Sequence, residues 1–221
     1  MKGILIKMNI KKLIFGLSLG DGYLTKPKSD TANSRLVIKH SAKQIEYLIY
    51  KKNLLENNGL ICSMDAYTDK NGYSVVQLRT SKTRVIKEIQ EKLYLNGKKE
   101  ISEELMELYF DPFILSILFQ DDGSREMAKW HRSNGTKYGV EPYINNFIIH
   151  TCNFSYVSNS LLQKKMEEMN IESRIIKRRK YDVIIVSKKE AKKEFVKTIK
   201  PYFCQSMLYK INSPLCFQKR L

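Results

Sequence analysis

The feature that most constrains this chain is that it is written twice. "LIFGLSLGDG" (13–22) answers to "ILSILFQDDG" (114–123), both apolar and helical in period, and both closing on Asp-Gly. "LVIKHS" (36–41) answers to "FIIHTC" (147–152), each a short strand carrying a histidine near its end. "QIEYLIYKKNLLENNG" (44–59) pairs with "VSNSLLQKKMEEMNI" (157–171), and "GYSVVQLRTSKTRVIKEIQEKL" (72–93) with "KYDVIIVSKKEAKKEFVKTIKPY" (180–202). The offset is 101 from Asp21 to Asp122, 110 from His40 to His150 and 108 from Tyr73 to Tyr181. An offset this steady over four elements describes two supersecondary units of one design. Its rise after the aspartates predicts a longer loop in the second copy, "KWHRSNGTKYGVEP" (129–142).

Each half then reads as helix, two-strand ribbon, helix, two-strand ribbon, helix, from the switch between periods of 3.6 and 2. The stretches 25–34 and 65–72 are expected as hairpin loops, the latter through Asn71-Gly72, and the third helix is expected to begin near Thr83. "GKKEISEELMELYFDP" is the connector, with Pro112 suited to a first helical position. The expected organisation is an N-terminal half (1–96), a connector (97–112) and a C-terminal half (113–221), in an α/β (α+β) fold with pseudo-two-fold symmetry.

Charge limits the partners. Lys and Arg number 39 against 23 Asp and Glu, a formal net charge of +16 in 221 residues. Self-repulsion of that size points to a polyanion, with nucleic acid first and an anionic membrane surface second. No apolar run is long enough to span a membrane, and "MKGILIKMNIKK" is too short and too broken by lysines for a signal peptide. Cys62, Cys152, Cys204 and Cys216 lie far apart, and with His40, His131 and His150 they make no zinc spacing, so they read as reduced, packed residues of an intracellular protein. Abundant Lys, Ile, Asn and Tyr suggest an AT-rich genome, a mitochondrion or another organelle.

An acid at a helix carboxyl end is electrostatically disfavoured by a few tenths to about 1 kcal/mol. One Asp-Gly there is turn chemistry. Two of them, at Asp21 and Asp122, need a further reason.

Two such helices about a hundred residues apart in a basic α/β chain resemble the LAGLIDADG homing endonucleases. The matching residues are Ile14 to Gly22 and Leu115 to Gly123. The likeness is strongest to the compact monomeric members encoded by mobile introns. It implies two αββαββα halves, each with a curved antiparallel DNA-binding sheet, packed through the motif helices. "GKKEIS" (97–102) resembles the family's connector with its active-site lysine, here Lys99, and "IKPYFCQSMLYKIN" (199–212) its closing segment, whose lysine falls at Lys210. Small residues are expected where the motif helices touch. Gly16 and Gly20 satisfy this in the first motif, whereas Ile117 and Asp121 stand in the second and make the contact asymmetric.

Breaking a phosphodiester requires an in-line water, charge neutralisation on the phosphate and help for the leaving alkoxide. Mg²⁺ supplies much of this and takes hard oxygen ligands. Asp21 and Asp122 offer carboxylates, and the carbonyls of Gly20 and Asp121 are expected to be free at the helix ends. A cation reverses the unfavourable helix-end electrostatics. Mn²⁺ is expected to substitute, and Ca²⁺ to support binding without cleavage. The resemblance implies that each acid serves one strand of a duplex, cut across the minor groove to leave 3′ overhangs, with Lys99 and Lys210 polarising water or stabilising the transition state. His40 and His150 read as core or strand-end residues.

DNA recognition is expected from the strands. Arg35, Val37 and Lys39 alternate with Leu36, Ile38 and His40. Tyr73, Val75, Gln77 and Arg79 share one face of the next ribbon, and Lys177 and Arg179 are placed together, opposite Arg178 and Lys180. Such a β-ribbon can enter a major groove, where Arg and Lys read guanine and Gln reads adenine. Lys26, Lys28, Lys70 and Arg132 in the loops extend the footprint, while Trp130 and Tyr138 fit either a DNA-facing or an anchoring role. The expected protein is a monomer acting on a non-palindromic duplex. The competing readings are an intron-RNA maturase and a non-catalytic DNA-binding regulator, both of which tolerate loss of the acids that this chain keeps.

Overall fold

A computed structural model describes residues 8–128 and 143–212. The first half runs α1 (Ile10–Leu19), β1 (Gly22–Leu24), β2 (Leu36–Ser41), α2 (Ile45–Asn57), β3 (Cys62–Thr68), β4 (Ser74–Thr80) and α3 (Arg84–Leu93). A small hairpin, β5 (Tyr94–Leu95) with β6 (Lys98–Lys99), and α4 (Glu103–Tyr109) follow. The second half repeats the order as α5 (Pro112–Asp122), β7 (Gly123–Ala128), β8 (Tyr143–Ile149), α6 (Tyr156–Glu168), β9 (Arg174–Arg178), β10 (Tyr181–Val186) and α7 (Lys189–Ile199). Two 3₁₀ turns, Lys200–Tyr202 and Gln205–Lys210, close the described chain.

Local chemistry starts the helices where it should. Asn9, Thr83, Ser102, Asp111 and Ser155 each cap an amino end with a side-chain oxygen, and Pro112 sits at the first position of α5. Leu13 to Leu19 of α1 and Phe113 to Gln120 of α5 are all buried. A helix apolar all round belongs in the centre, and these two pack together there.

Each half forms one four-stranded antiparallel sheet, ordered β1-β2-β4-β3 and β7-β8-β10-β9. In the first, Leu24, Leu36, Ile38, Val76 and Leu78 face the helices and are buried. Tyr23, Val37, Lys39, Gln77 and Arg79 face away.

Register corrects several pairings read from the repeat. Gly22 faces Ile38 and Gly123 faces Ile149, so His40 answers to Thr151, and His150 to Lys39. A one-residue slip turns a strand's side chains to the opposite face, which is why His40 is buried and His150 exposed. The tyrosine pairing fails likewise: Leu78 answers to Ile184, so Tyr73 corresponds to Arg179 rather than Tyr181. The loop expected at 65–72 is also shorter. Residues 65–68 continue β3, and the turn spans 69–73, with Asp69 Oδ1 accepting the N–H groups of Asn71 and Tyr73 and Gly72 at φ 83°.

Candidate active site

The motif helices meet through Gly16 and Gly20. A β-carbon on Gly16 would lie 2.2 Å from Ile114 Cδ1, and one on Gly20 2.4 Å from Asp121 Oδ2. At Gly20 the clash extends to Asp121 Cβ at 2.5 Å, so only glycine fits there, while at Gly16 it falls on the terminal methyl group of Ile114. Gly16 thus packs on Ile114, and Gly20 on Asp121, which lies in the seam as expected.

This packing brings the two helix ends together. Asp21 lies two residues past α1, and Asp122 is the last residue of α5. Both border a cleft of about 630 Å³ that Tyr23, Lys99 and His150 also line. Burial and the nearby Asp121 push the Asp21 carboxyl up to about 6, against the pull of Lys51, Lys210 and Lys99. Burial, Asp121 and Asp21 push Asp122 up to about 7. Burial and mutual repulsion outweigh the lysines here, and a cation bound between the acids would relieve both.

Lys99 and Lys210 reach the same place from different segments. Lys99 Nζ donates to the carbonyls of Gly20 and Gly22, each at 2.9 Å. Lys210 Nζ donates to the carbonyls of Gln120 at 2.6 Å and Asp121 at 3.1 Å. The carbonyls of Gly20 and Asp121, expected from the sequence to be free, are therefore occupied. They hold ammonium groups, since a helix end offers unpaired acceptors to whatever cation is nearest. Burial lowers the pKa of both lysines, against the raising effect of the surrounding carboxylates.

The Asp121 side chain has a structural setting that the sequence reading missed. Its Oδ1 accepts from Lys51 Nζ at 2.5 Å and from the Tyr47 hydroxyl at 2.8 Å, and the Lys51 and Asp121 side chains are wholly buried. Its Oδ2 accepts the backbone N–H of Asp21 at 3.1 Å. Lys51 Nζ also donates to His40 Nε2 at 3.1 Å, which leaves the imidazole proton on Nδ1. Burial and Lys51 lower the His40 pKa to about 4. Lys51 could have been found from its position, because Tyr47, Leu48, Lys51, Leu54 and Leu55 form the buried stripe of α2.

Asp21, His40 and Asp121 bring ligand-type atoms within 4.8 Å of one another. Lys51 already occupies Asp121 and one nitrogen of His40, so the acids left open toward the cleft are Asp21 and Asp122. Their hard oxygens suit Mg²⁺ or Mn²⁺ better than a thiophilic metal.

The residues expected to contact DNA divide by sheet. In the first, Arg35, Lys39, Gln77 and Arg79 lie on the outward side, as alternation predicts, with Tyr73 strongly exposed beside them. Arg79 is paired with Asp65, and Lys39 lies over the Tyr67 ring. Tyr23 and Tyr67 share this face and were missed, Tyr67 because its segment was read as loop. Lys26, Lys28 and Lys70 are exposed on the connecting loops.

In the second sheet Lys177 takes the helix-side register with Asp182, and Arg179 sits in the turn at φ 56°. The expected face assignment is therefore reversed: Arg174 and Arg178 point outward, with Arg178 bonded to Glu126. The centre of that outward face is apolar, formed by Ile148, Val183 and Ile185. Arg132, Trp130 and Tyr138 lie outside the described residues. No helix among the described residues is long and apolar enough to cross a membrane.

Comparison with known proteins agrees with this geometry. The structure of the homing endonuclease I-WcaI bound to its DNA recognition sequence superposes with a TM-score of 0.72, at 19% identity, over 94% of this chain and 88% of that one. I-DmoI in complex with DNA and Mn gives 0.52, at 15% identity, over 86% and 95%. Cytochrome b mRNA maturase bI2 of Debaryomyces hansenii is 25% identical over 211 residues, 91% of this chain and 73% of the relative. RecA of Mycobacterium gastri is 30% identical over 135 residues, and the match spans 59% of this chain but only 30% of that protein. Residues 11–195 match the LAGLIDADG DNA endonuclease family, and the chain belongs to it.

Proposed function

We propose that this protein is a site-specific homing endonuclease that makes a Mg²⁺-dependent double-strand break in a long, non-palindromic DNA target and so serves intron mobility. The observation that carries this reading is the pair of open acids, Asp21 and Asp122, at the ends of two packed helices, each end gripped by its own lysine. Asp21 and Asp122 would hold the cation, which supplies charge neutralisation at the phosphate and a more acidic bound water. Lys99 and Lys210 fix the helix ends and keep positive charge beside the acids, where negative charge on a phosphate would develop. The outward face of the first sheet, with Lys39, Gln77 and exposed tyrosines, offers groups for a major groove. Both half-sites lie in one chain, so the working form is a monomer. Mn²⁺ replaces Mg²⁺, and Ca²⁺ supports binding without cleavage.

The test is incubation of a randomised duplex library with Mg²⁺, using wild type, Asp21→Asn and Asp122→Asn. Wild type is expected to cut one extended site, while each variant loses double-strand cleavage and still binds that site in Ca²⁺. Binding without cutting by wild type would favour a DNA-binding regulator. A second reading, an intron-RNA maturase, is favoured by the likeness to bI2 over nearly the whole chain. Tighter binding to a structured intron RNA than to any duplex would make it the primary one.

A further inference from the structure

One buried charge pair breaks the relation between the halves. Lys51 and Asp121 meet between α2 and the seam, with Tyr47 against the same carboxylate oxygen. The positions that answer to Lys51, Asp121 and Tyr47 are Leu162, Gly20 and Ser158. None of these three side chains carries a charge, and Ser158 donates instead to Glu100 Oε2 at 3.2 Å.

The pair reaches Asp21 through one hydrogen bond. Asp121 Oδ2 accepts the Asp21 backbone N–H at 3.1 Å. Because α1 ends at Leu19, no helical turn fixes Asp21, whereas Asp122 belongs to the last turn of α5. His40 stands beside this link without extending it: with Nε2 accepting from Lys51, the Nδ1 proton goes to Gln44 Oε1 at 3.2 Å, while Asp21 Oδ2 lies 3.6 Å away, beyond hydrogen-bond reach. A buried ion pair is a weak source of stability, since apolar residues of similar volume often serve as well or better. Leu162 shows that this architecture accepts such a residue.

We propose that Lys51, acting through Asp121, is a positioning residue for Asp21 alone, so that the two acids are held in unlike ways and the two DNA strands are cut by unequal centres. The strand-cutting part rests on the endonuclease reading above.

Two paired substitutions test it. Lys51→Leu with Asp121→Gly copies Leu162 and Gly20, and removes the acceptor for the Asp21 N–H. Lys51→Met with Asp121→Asn removes both charges but leaves an amide oxygen in the acceptor's place. Single-turnover cleavage is followed on each strand separately, alongside thermal melting and hydrogen exchange at the Asp21 amide. The Leu/Gly variant is expected to cut the strand at the Asp21 centre roughly 10-fold more slowly, as slight misplacement of a reacting group does. The other strand stays near the wild-type rate, a nicked duplex accumulates, and the Asp21 amide exchanges roughly 10-fold faster. The Met/Asn variant keeps the strand ratio and the protected amide. A folded Leu/Gly variant that slows both strands equally, or leaves their ratio unchanged, overturns the proposal. So does an unprotected Asp21 amide in wild type. If wild type cuts no duplex, the endonuclease reading fails, and amide exchange still decides whether Lys51 and Asp121 hold Asp21.

Discussion

Lys99 and Lys210 each take one carbonyl at the same position of the repeat, Gly20 and Asp121, and one that differs, Gly22 for Lys99 and Gln120 for Lys210. Each ammonium is thereby fixed at the carboxyl end of a motif helix, within the field of the acids. Lys99→Met and Lys210→Met are expected to lower single-turnover cleavage by roughly 10²–10³, the range for loss of one preorganised charge-stabilising group. Duplex affinity in Ca²⁺ should change little. Loss of affinity in step with loss of cutting would make these lysines DNA-binding groups only.

The raised acids set a pH dependence. Asp21 near 6 and Asp122 near 7 bind protons in the folded chain at pH values where the unfolded chain has released them. Their contribution to stability is full below the ordinary carboxylate value and is lost as pH rises through about 6 to 7. A bound cation inverts this, because it requires both acids ionised. In EDTA, this contribution should make the melting temperature fall between about pH 5 and pH 8. The increment given by Ca²⁺ should be near zero at about pH 5 and largest at about pH 8. An increment independent of pH would place the cation elsewhere.

Gly16 tests the seam itself. A β-carbon there would meet Ile114 Cδ1 at 2.2 Å. Gly16→Ala should destabilise the fold by about 1–3 kcal/mol, the usual penalty for overpacking. Ile114→Val removes that methyl group, so the double variant should lose less than the sum of the two single losses. Additive losses in denaturant titrations would show that these residues do not touch.

Charge should govern affinity for the duplex. Lys26, Lys28 and Lys70 are exposed loop residues with no ion pair among the described residues. Each replaced by Ala should reduce the slope of log K against log salt by about 0.9, the value for one lost phosphate contact. Gln77→Ala should instead relax discrimination at one base pair, at about 1–3 kcal/mol, with an unchanged slope. Binding measured from low to moderate salt on matched and mismatched duplexes separates the two.

Much of this was legible because the repeat is strong and period carries secondary structure. The α1 and α5 helices and the first-sheet alternation about Leu36 and Ile38 follow from period, whereas Lys99 and Lys210 come from the resemblance of "GKKEIS" and "IKPYFCQSMLYKIN" to family segments, and only the structure puts them at the helix ends. Register was less accessible. Matching His40 to His150 by residue type was off by one, and only the ladder pairs Gly22 with Ile38 and Gly123 with Ile149 decide it. The same limit hid the reversal of Lys177 and Arg178 on β9. The setting of Asp121 was unreadable for another reason. The buried stripe of α2 marks Lys51 as needing a partner, but nothing local says that the partner is Asp121, 70 residues away in the chain.

The seam also has a bearing on ancestry and redesign. Gly20 makes room for Asp121, and Asp121 in turn is neutralised by Lys51 of the first half. Joining two copies of the first half would set Gly20 against Gly20, leaving a void and an orphaned ammonium on each side. Joining two copies of the second would crowd two carboxylates against each other with no lysine to meet them. The halves fit as bolt and socket, not as interchangeable parts. A chimera that exchanges one half must therefore carry positions 20, 51 and 121 as a single unit, or its interface will not close.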